Sequence, residues 1–231
     1  MEFVINDRIV FEDFEMERAE KMKSLCSDSA YAEKQLIDVL KLFDRKEPVI
    51  NKALDYAKSL DFSNSHLKSG YLSHPLRLAA SLVKIDPAID PDYIVVALLH
   101  NVPETTNITI DKLKGLFGEN VANAIETLVV DRKAGFSSIQ KSYYQKIFDV
   151  GSKLVLIKLL DKMDNLFVLG LNPDDEVRKN YIMEVREELL PFAYDYNPSL
   201  GKYLDELLKT TMDLGYTEKL KKRLLAYQQS V

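Results

Sequence analysis

Two stretches of this chain are too apolar to lie anywhere but in a core, yet each carries polar side chains at its end or centre. They are PDYIVVALLHNV (91–102) and GSKLVLIKLLDKMDNLFVL (151–169). Each reads as a helix buried on all sides. The first delivers His100 and Asn101, with Glu104 just beyond, and the second carries Asp161 and Asn165. In both places two polar residues stand four apart, so an unbroken helix puts each pair on one face. Burying an imidazole or a carboxylate is costly unless its polar atoms find partners. His74 stands at the start of a third helix, directly before Pro75. Two histidines, one carboxylate and a side-chain carbonyl together can hold Mn²⁺, Fe²⁺, Zn²⁺ or another divalent ion. A set of unrelated buried polar networks around a satisfied core histidine explains the same residues. Spacing alone leaves both readings open.

The rest of the chain repeats the helical pattern. Amphipathic segments are predicted over 12–26, 30–44 and 48–60, the last with Pro48 in its first turn and Ile50, Ala53, Leu54 and Ala57 on one face. FSNSHLKSGYLS reads as a polar loop, and a helix starts near Pro75. Further helices are expected from Ile110 to a stop at Gly118, over 119–132, 137–149, 173–192 and 198–214, and a basic terminal one over 216–229. Only FVIN and IVF near the N-terminus suggest short extended pieces. The expected fold is therefore all-α, with residues 1–45 as an N-terminal helical extension and 46–231 as the main domain.

Composition narrows the function. The 231 residues are 46% hydrophobic and 29% charged, ordinary for a globular chain that builds a real core. A net charge of −5 argues against a large nucleic-acid surface, though not against a local basic pocket for phosphates. Cys26 is the single cysteine, so no intramolecular disulfide forms, and a reduced, cytoplasmic setting is expected. The acidic N-terminus does not resemble a signal peptide, and no apolar run has the roughly 18–20 residues of a membrane span. Cys26 is read as a core residue, since nothing nearby activates a thiolate. The aromatic and basic segment KAGFSSIQKSYYQK (133–146) is read as a solvated helix face that can also flank a phosphate pocket. EKLKKRLLAYQQ (218–229) is read as a solvated surface over an apolar stripe.

At this point the sequence resembles a known family. SG…HP (69–75), ALLHNVPETT (97–106), FGENVANAIETLV (117–129), KLVLIKLLDKMDNLFVL (153–169) and EVREELLPFA (184–193) resemble, in order, the HD hydrolase domain of RelA/SpoT homologues and small alarmone hydrolases. The resemblance implies an HD-domain helical bundle. It also implies that His74, His100, Asn101 and Asp161 ligate a divalent metal, most often Mn²⁺. The acidic pair that positions and deprotonates water in the family falls on Glu104 and Thr105. Asn165 falls where the family contacts the nucleotide sugar and takes part in catalysis. Lys68 falls with Asn165 among the substrate-binding positions. From the residues themselves, Lys158 joins the substrate-binding set, and Tyr71, in the loop beside His74, either stacks on a purine or simply packs. Three departures stand out: the HD aspartate is Asn101, the second acid is Thr105, and the arginine expected before Lys68 is Leu67. An Asn ligates through its amide oxygen without bringing negative charge, so metal affinity is expected to fall.

The resemblance implies a metal-dependent pyrophosphohydrolase that removes the 3′-pyrophosphate from a guanosine or adenosine alarmone. Its partner would be a small nucleotide, with no membrane contact and with oligomerisation left open. Asn101, Thr105 and Leu67 motivate an alternative: a degenerate HD domain that binds a nucleotide or a partner without turnover. A third reading keeps the hydrolase chemistry and changes the substrate, to pyrophosphorylated RNA ends or nucleotide monophosphates.

Overall fold

A computed structural model describes residues 14, 17–21, 29–62, 71–130 and 136–214. The expected extended pieces FVIN and IVF, most of the 12–26 helix, Cys26, Leu67, Lys68 and the 216–229 helix lie outside these residues. Among the described residues every regular element is helical. The elements are α1 (Ala30–Leu42), α2 (Pro48–Ser59), α3 (Ser73–Ile85), α4 (Pro91–Leu99), the single turn α5 (Val102–Thr105), α6 (Ile110–Phe117) and α7 (Glu119–Leu128). There follow α8 (Phe136–Val150), α9 (Ser152–Val168), α10 (Asp175–Glu184), α11 (Leu190–Tyr196) and α12 (Pro198–Leu214). The all-α expectation holds.

Contacts divide the chain into two compact units, Asp28–Leu160 and Met1–Ser27 with Asp161–Val231. In the first, α1 packs on α3, α2 and α3 both pack on α4, and α7 covers α4 from another side. Local chemistry explains these elements. Pro48 and Pro91 each occupy a first helical turn, where a missing N–H costs nothing. Asp90 caps α4 by accepting from the Asp92 N–H at 2.9 Å. Ile50, Ala53, Leu54 and Ala57 form the buried face of α2 as the pattern predicts. Every residue of α4 from Ile94 to Leu99 is buried. Each such aliphatic side chain contributes about 1.5–3 kcal/mol, so α4 is held as a fixed rod that carries His100 at its end. Gly118 ends α6 at φ 92°, a backbone setting that side chains other than glycine's rarely adopt. Arg45 donates to Pro87 O at 3.0 Å and Ile89 O at 2.8 Å, tying down the loop that launches α4.

In the second unit the helical piece at 17–21 meets the end of α9. Lys21 Nζ donates to Asp164 Oδ1 at 2.7 Å, and Arg18 Nε donates to Phe167 O at 2.9 Å. The segment expected as one helix over 173–192 differs in detail. It opens into a π turn at Val185–Leu189 and continues to Tyr196. The Leu190 N–H bonds back to Val185 O, five residues earlier. Pro191 supplies the reason: without an N–H it cannot close the α-type bond to Glu187, and the widened turn absorbs the defect. Gly201 lets α12 approach α11 closely; a Cβ there would meet Tyr194 Cγ at 2.5 Å and its Cα at 2.8 Å.

Candidate metal centre

His74 is the second residue of α3, and Pro75 behind it fixes the helix start. His100 follows the last residue of α4. Both rings are buried, and their centroids stand 5.3 Å apart in an edge-on arrangement. His100 Nδ1 lies 2.9 Å from Ala97 O. A carbonyl only accepts, so Nδ1 donates this hydrogen bond and Nε2 is the nitrogen that would ligate an ion. This is the usual arrangement for a ligating imidazole, with one nitrogen oriented by backbone and the other kept for the ion.

Asp161 lies on α9 and is 4% exposed. Its Oδ1 accepts from Asn165 Nδ2 at 3.0 Å, so the four-residue spacing on this helix forms the expected pair. One ligand atom from each of His74, His100 and Asp161 falls within 4.8 Å of the other two. Two imidazole nitrogens and a carboxylate fit a divalent transition-metal ion. The donor set therefore suits the cofactor that the resemblance implies.

At His100 the spacing behaves differently. Helix α4 stops, His100 and Asn101 form a turn, and α5 starts anew with Pro103 in its first turn. Proline at 103 has no N–H to bond Leu99 and its ring crowds that carbonyl. The Glu104 Oε1 accepts from the Val130 N–H at 3.0 Å. Asn101 is half-buried at the head of α5, and its backbone oxygen accepts from Thr105 Oγ1 at 2.7 Å. The Thr105 hydroxyl donates within its own turn.

The remaining predicted residues fall as follows. Tyr71 is buried, its ring 5.3 Å from Phe62 and 6.5 Å from His74, so it belongs to the wall beside that histidine. Lys158 is buried one turn before Asp161 on α9, its Nζ 5.4 Å from the centre of the Tyr143 ring. Lys68 is outside the described residues.

Several neighbours escaped the sequence reading. Val130 holds Glu104 through its backbone N–H, for which no side-chain pattern exists. Tyr143 lies in the aromatic and basic segment that reads as a solvated face. Tyr181 on α10 has its phenol pushed well above the ordinary range by burial, with the negative charges of Asp161 and Glu184 adding to the effect. It stays protonated across ordinary assay pH. The Lys21–Asp164 pair joins residues 143 positions apart, a partnership that no local pattern signals.

No protein-family model matches the chain. Comparison with curated proteins finds a guanosine-3′,5′-bis(diphosphate) 3′-pyrophosphohydrolase of Aquifex aeolicus, 29% identical over 70% of this chain and 23% of that protein. A GTP pyrophosphokinase rsh of Brucella ovis is 28% identical over 74% of this chain and 26% of its own length. A probable guanosine-3′,5′-bis(diphosphate) 3′-pyrophosphohydrolase of Synechocystis is 31% identical over 54% of this chain and 17% of its own. The chain thus spans about a quarter or less of the length of these relatives. Among solved structures, one described as a metazoan orthologue of SpoT that hydrolyses ppGpp superposes with a TM-score of 0.58 at 22% identity. That match covers 71% of this chain and 96% of the other.

Proposed function

We propose, starting from a chain that belongs to the RelA/SpoT family of HD-domain hydrolases, that it removes the 3′-pyrophosphate from a guanosine or adenosine nucleotide of the (p)ppGpp type. The observation that carries this reading is the convergence of His74, His100 and Asp161 within 4.8 Å. These three, with the Asn101 amide oxygen, hold one divalent ion, Mn²⁺ by preference. When bound, such an ion polarises a phosphoryl oxygen and lowers the pKa of a coordinated water.

The chain's own residues do the rest by positioning, as phosphoryl transfer demands. The Ala97 carbonyl orients His100, and Asn165 orients Asp161. Glu104, held by the Val130 N–H, accepts the proton of the attacking water. The water oxygen bonds to the phosphorus that is attached to the 3′ oxygen, the bond between that phosphorus and the 3′ oxygen breaks, the 3′ oxygen leaves and takes up a proton to become the nucleoside hydroxyl, and pyrophosphate is released. Asn165 binds the sugar and Lys158 the phosphates, Lys68 takes the phosphate role by resemblance alone, and Tyr71 serves the base. Residues 46–231 form the hydrolase domain in this reading and 1–45 its helical extension. The setting is the reduced cytoplasm, with a small nucleotide as partner, no large nucleic-acid surface, and an architecture compatible with oligomers. No described helix is long and apolar enough to cross a membrane.

The test is release of pyrophosphate from a panel of guanosine and adenosine 3′-pyrophosphates in the presence of Mn²⁺. Asn101→Asp, which restores the acidic ligand, is expected to raise both metal affinity and turnover. A second reading rests on Thr105. Its hydroxyl is engaged with the Asn101 carbonyl and carries no charge, so the second acid of the family is missing in function as well as in name. On that reading the domain binds the nucleotide without hydrolysing it. A nucleotide that raises the melting temperature, with no turnover before or after Asn101→Asp, selects the binding module.

A further inference from the structure

The aromatic and basic segment at 133–146 enters none of the roles above, yet one of its side chains touches Lys158 and the backbone beside the partner of Glu104. Tyr143 is half-buried on α8. Its hydroxyl donates to Leu128 O at 2.6 Å. Leu128 is the last residue of α7, where backbone carbonyls lose their intrahelical partners, so the phenol satisfies one that the helix cannot. Two residues further on, the Val130 N–H holds the Glu104 carboxylate. The hydroxyl therefore anchors the short stretch of backbone on which Glu104 leans. The face of the same ring carries the Lys158 ammonium, 5.4 Å from its centroid. An ammonium over a phenol ring is attracted by the ring's negative face, and the attraction grows as water is excluded. Lys158 is 5% exposed, so water is excluded there.

We infer that Tyr143 is a positioning residue that sets the Lys158 cation and the Glu104 carboxylate at a fixed separation across the site. Lys158 meets the pyrophosphate under attack and Glu104 the incoming water. One aromatic side chain thereby holds the group that neutralises the phosphoryl charge and the group that takes the proton of the nucleophile. The inference rests on the hydrolase reading and deepens it. It also explains why this helix face carries a tyrosine where packing alone accepts any large apolar residue: the ring serves Lys158 and the hydroxyl serves the Leu128 carbonyl.

Two variants separate the functions. Tyr143→Phe keeps the ring and loses the hydroxyl; it is expected to lower kcat about fivefold, the worth of one hydrogen bond, with KM almost unchanged. Tyr143→Leu loses the ring as well, and its KM for a 3′-pyrophosphorylated nucleotide is expected to rise about tenfold further. Circular dichroism and melting of both proteins check that the helices persist. Equal changes in kcat and KM for the two variants, or wild-type values for both, overturn the inference. If the wild-type chain turns over no nucleotide, the hydrolase reading itself falls. Binding of inorganic pyrophosphate in Mn²⁺ then decides the matter. At least fivefold weaker binding by Tyr143→Leu, with Tyr143→Phe close to wild type, supports the positioning role. Equal affinities, or no binding by the wild type, end it.

Discussion

The end of α4 and the middle of α9 start from the same sequence arrangement, a polar pair four residues apart at an apolar helix, and reach opposite structures. On α9 the helix continues, and Asn165 reaches back to hold Asp161 at 3.0 Å. After α4 the helix stops, and the Glu104 carboxylate takes the Val130 N–H as its partner. The difference is one residue: Pro103 lies between His100 and Glu104, whereas Lys162, Met163 and Asp164 between the other pair all donate helical N–H groups. In the proposed reading the two outcomes suit two tasks. A ligand carboxylate benefits from a neighbour on its own helix that fixes its orientation, and a proton acceptor benefits from a fixed backbone partner such as the Val130 N–H.

This contrast predicts graded effects. Replacing a ligand does the greatest damage. His100→Ala is expected to lower turnover by about 10³-fold or more, since the ion supplies several kcal/mol of stabilisation, and initial rates at saturating Mn²⁺ measure it. Glu104→Gln keeps an oxygen for the Val130 N–H but loses the charge. Its kcat is expected to fall roughly 100-fold with bound metal unchanged, which would separate the proton acceptor from the ligands. Asn165→Leu removes the support of Asp161 and is expected to weaken Mn²⁺ binding about tenfold, read by calorimetry. The smallest effect belongs to Pro103→Ala. It permits α4 to run on and draws Glu104 off Val130, for a loss of about fivefold in kcat with metal affinity preserved. An unchanged kcat in that variant would break the contrast, because the proline would then have no bearing on where Glu104 acts.

Much of this was legible in the sequence. The helical period and the two apolar runs gave the all-α fold, because burial on every side leaves a signature in composition alone. His74, His100 and Asp161 stood out as polar residues in places where burial makes them costly. The spacing from His100 singles out Glu104 but not its partner, since that depends on how Pro103 ends one helix and begins another. The partner of Glu104 is a backbone N–H at Val130, invisible to any reading of side chains. The mixed polarity of its helix makes Tyr143 look like part of a solvated face, and its two contacts come from the helices on either side in sequence, which no local pattern reveals. The π turn at Val185–Leu189 was likewise hidden, although Pro191 was in plain view: a proline marks a defect without saying how the chain absorbs it.

The central claim is that side chains from α3, α9 and the turn after α4 share one ion. Titration of Mn²⁺ into the metal-stripped chain, followed by calorimetry alongside the Asp161→Ala and His74→Ala proteins, addresses it without any assumption about substrate. One site per chain is expected in the unmodified protein, lost in both variants with the fold intact. Identical binding in all three proteins, or none in the first, would contradict it.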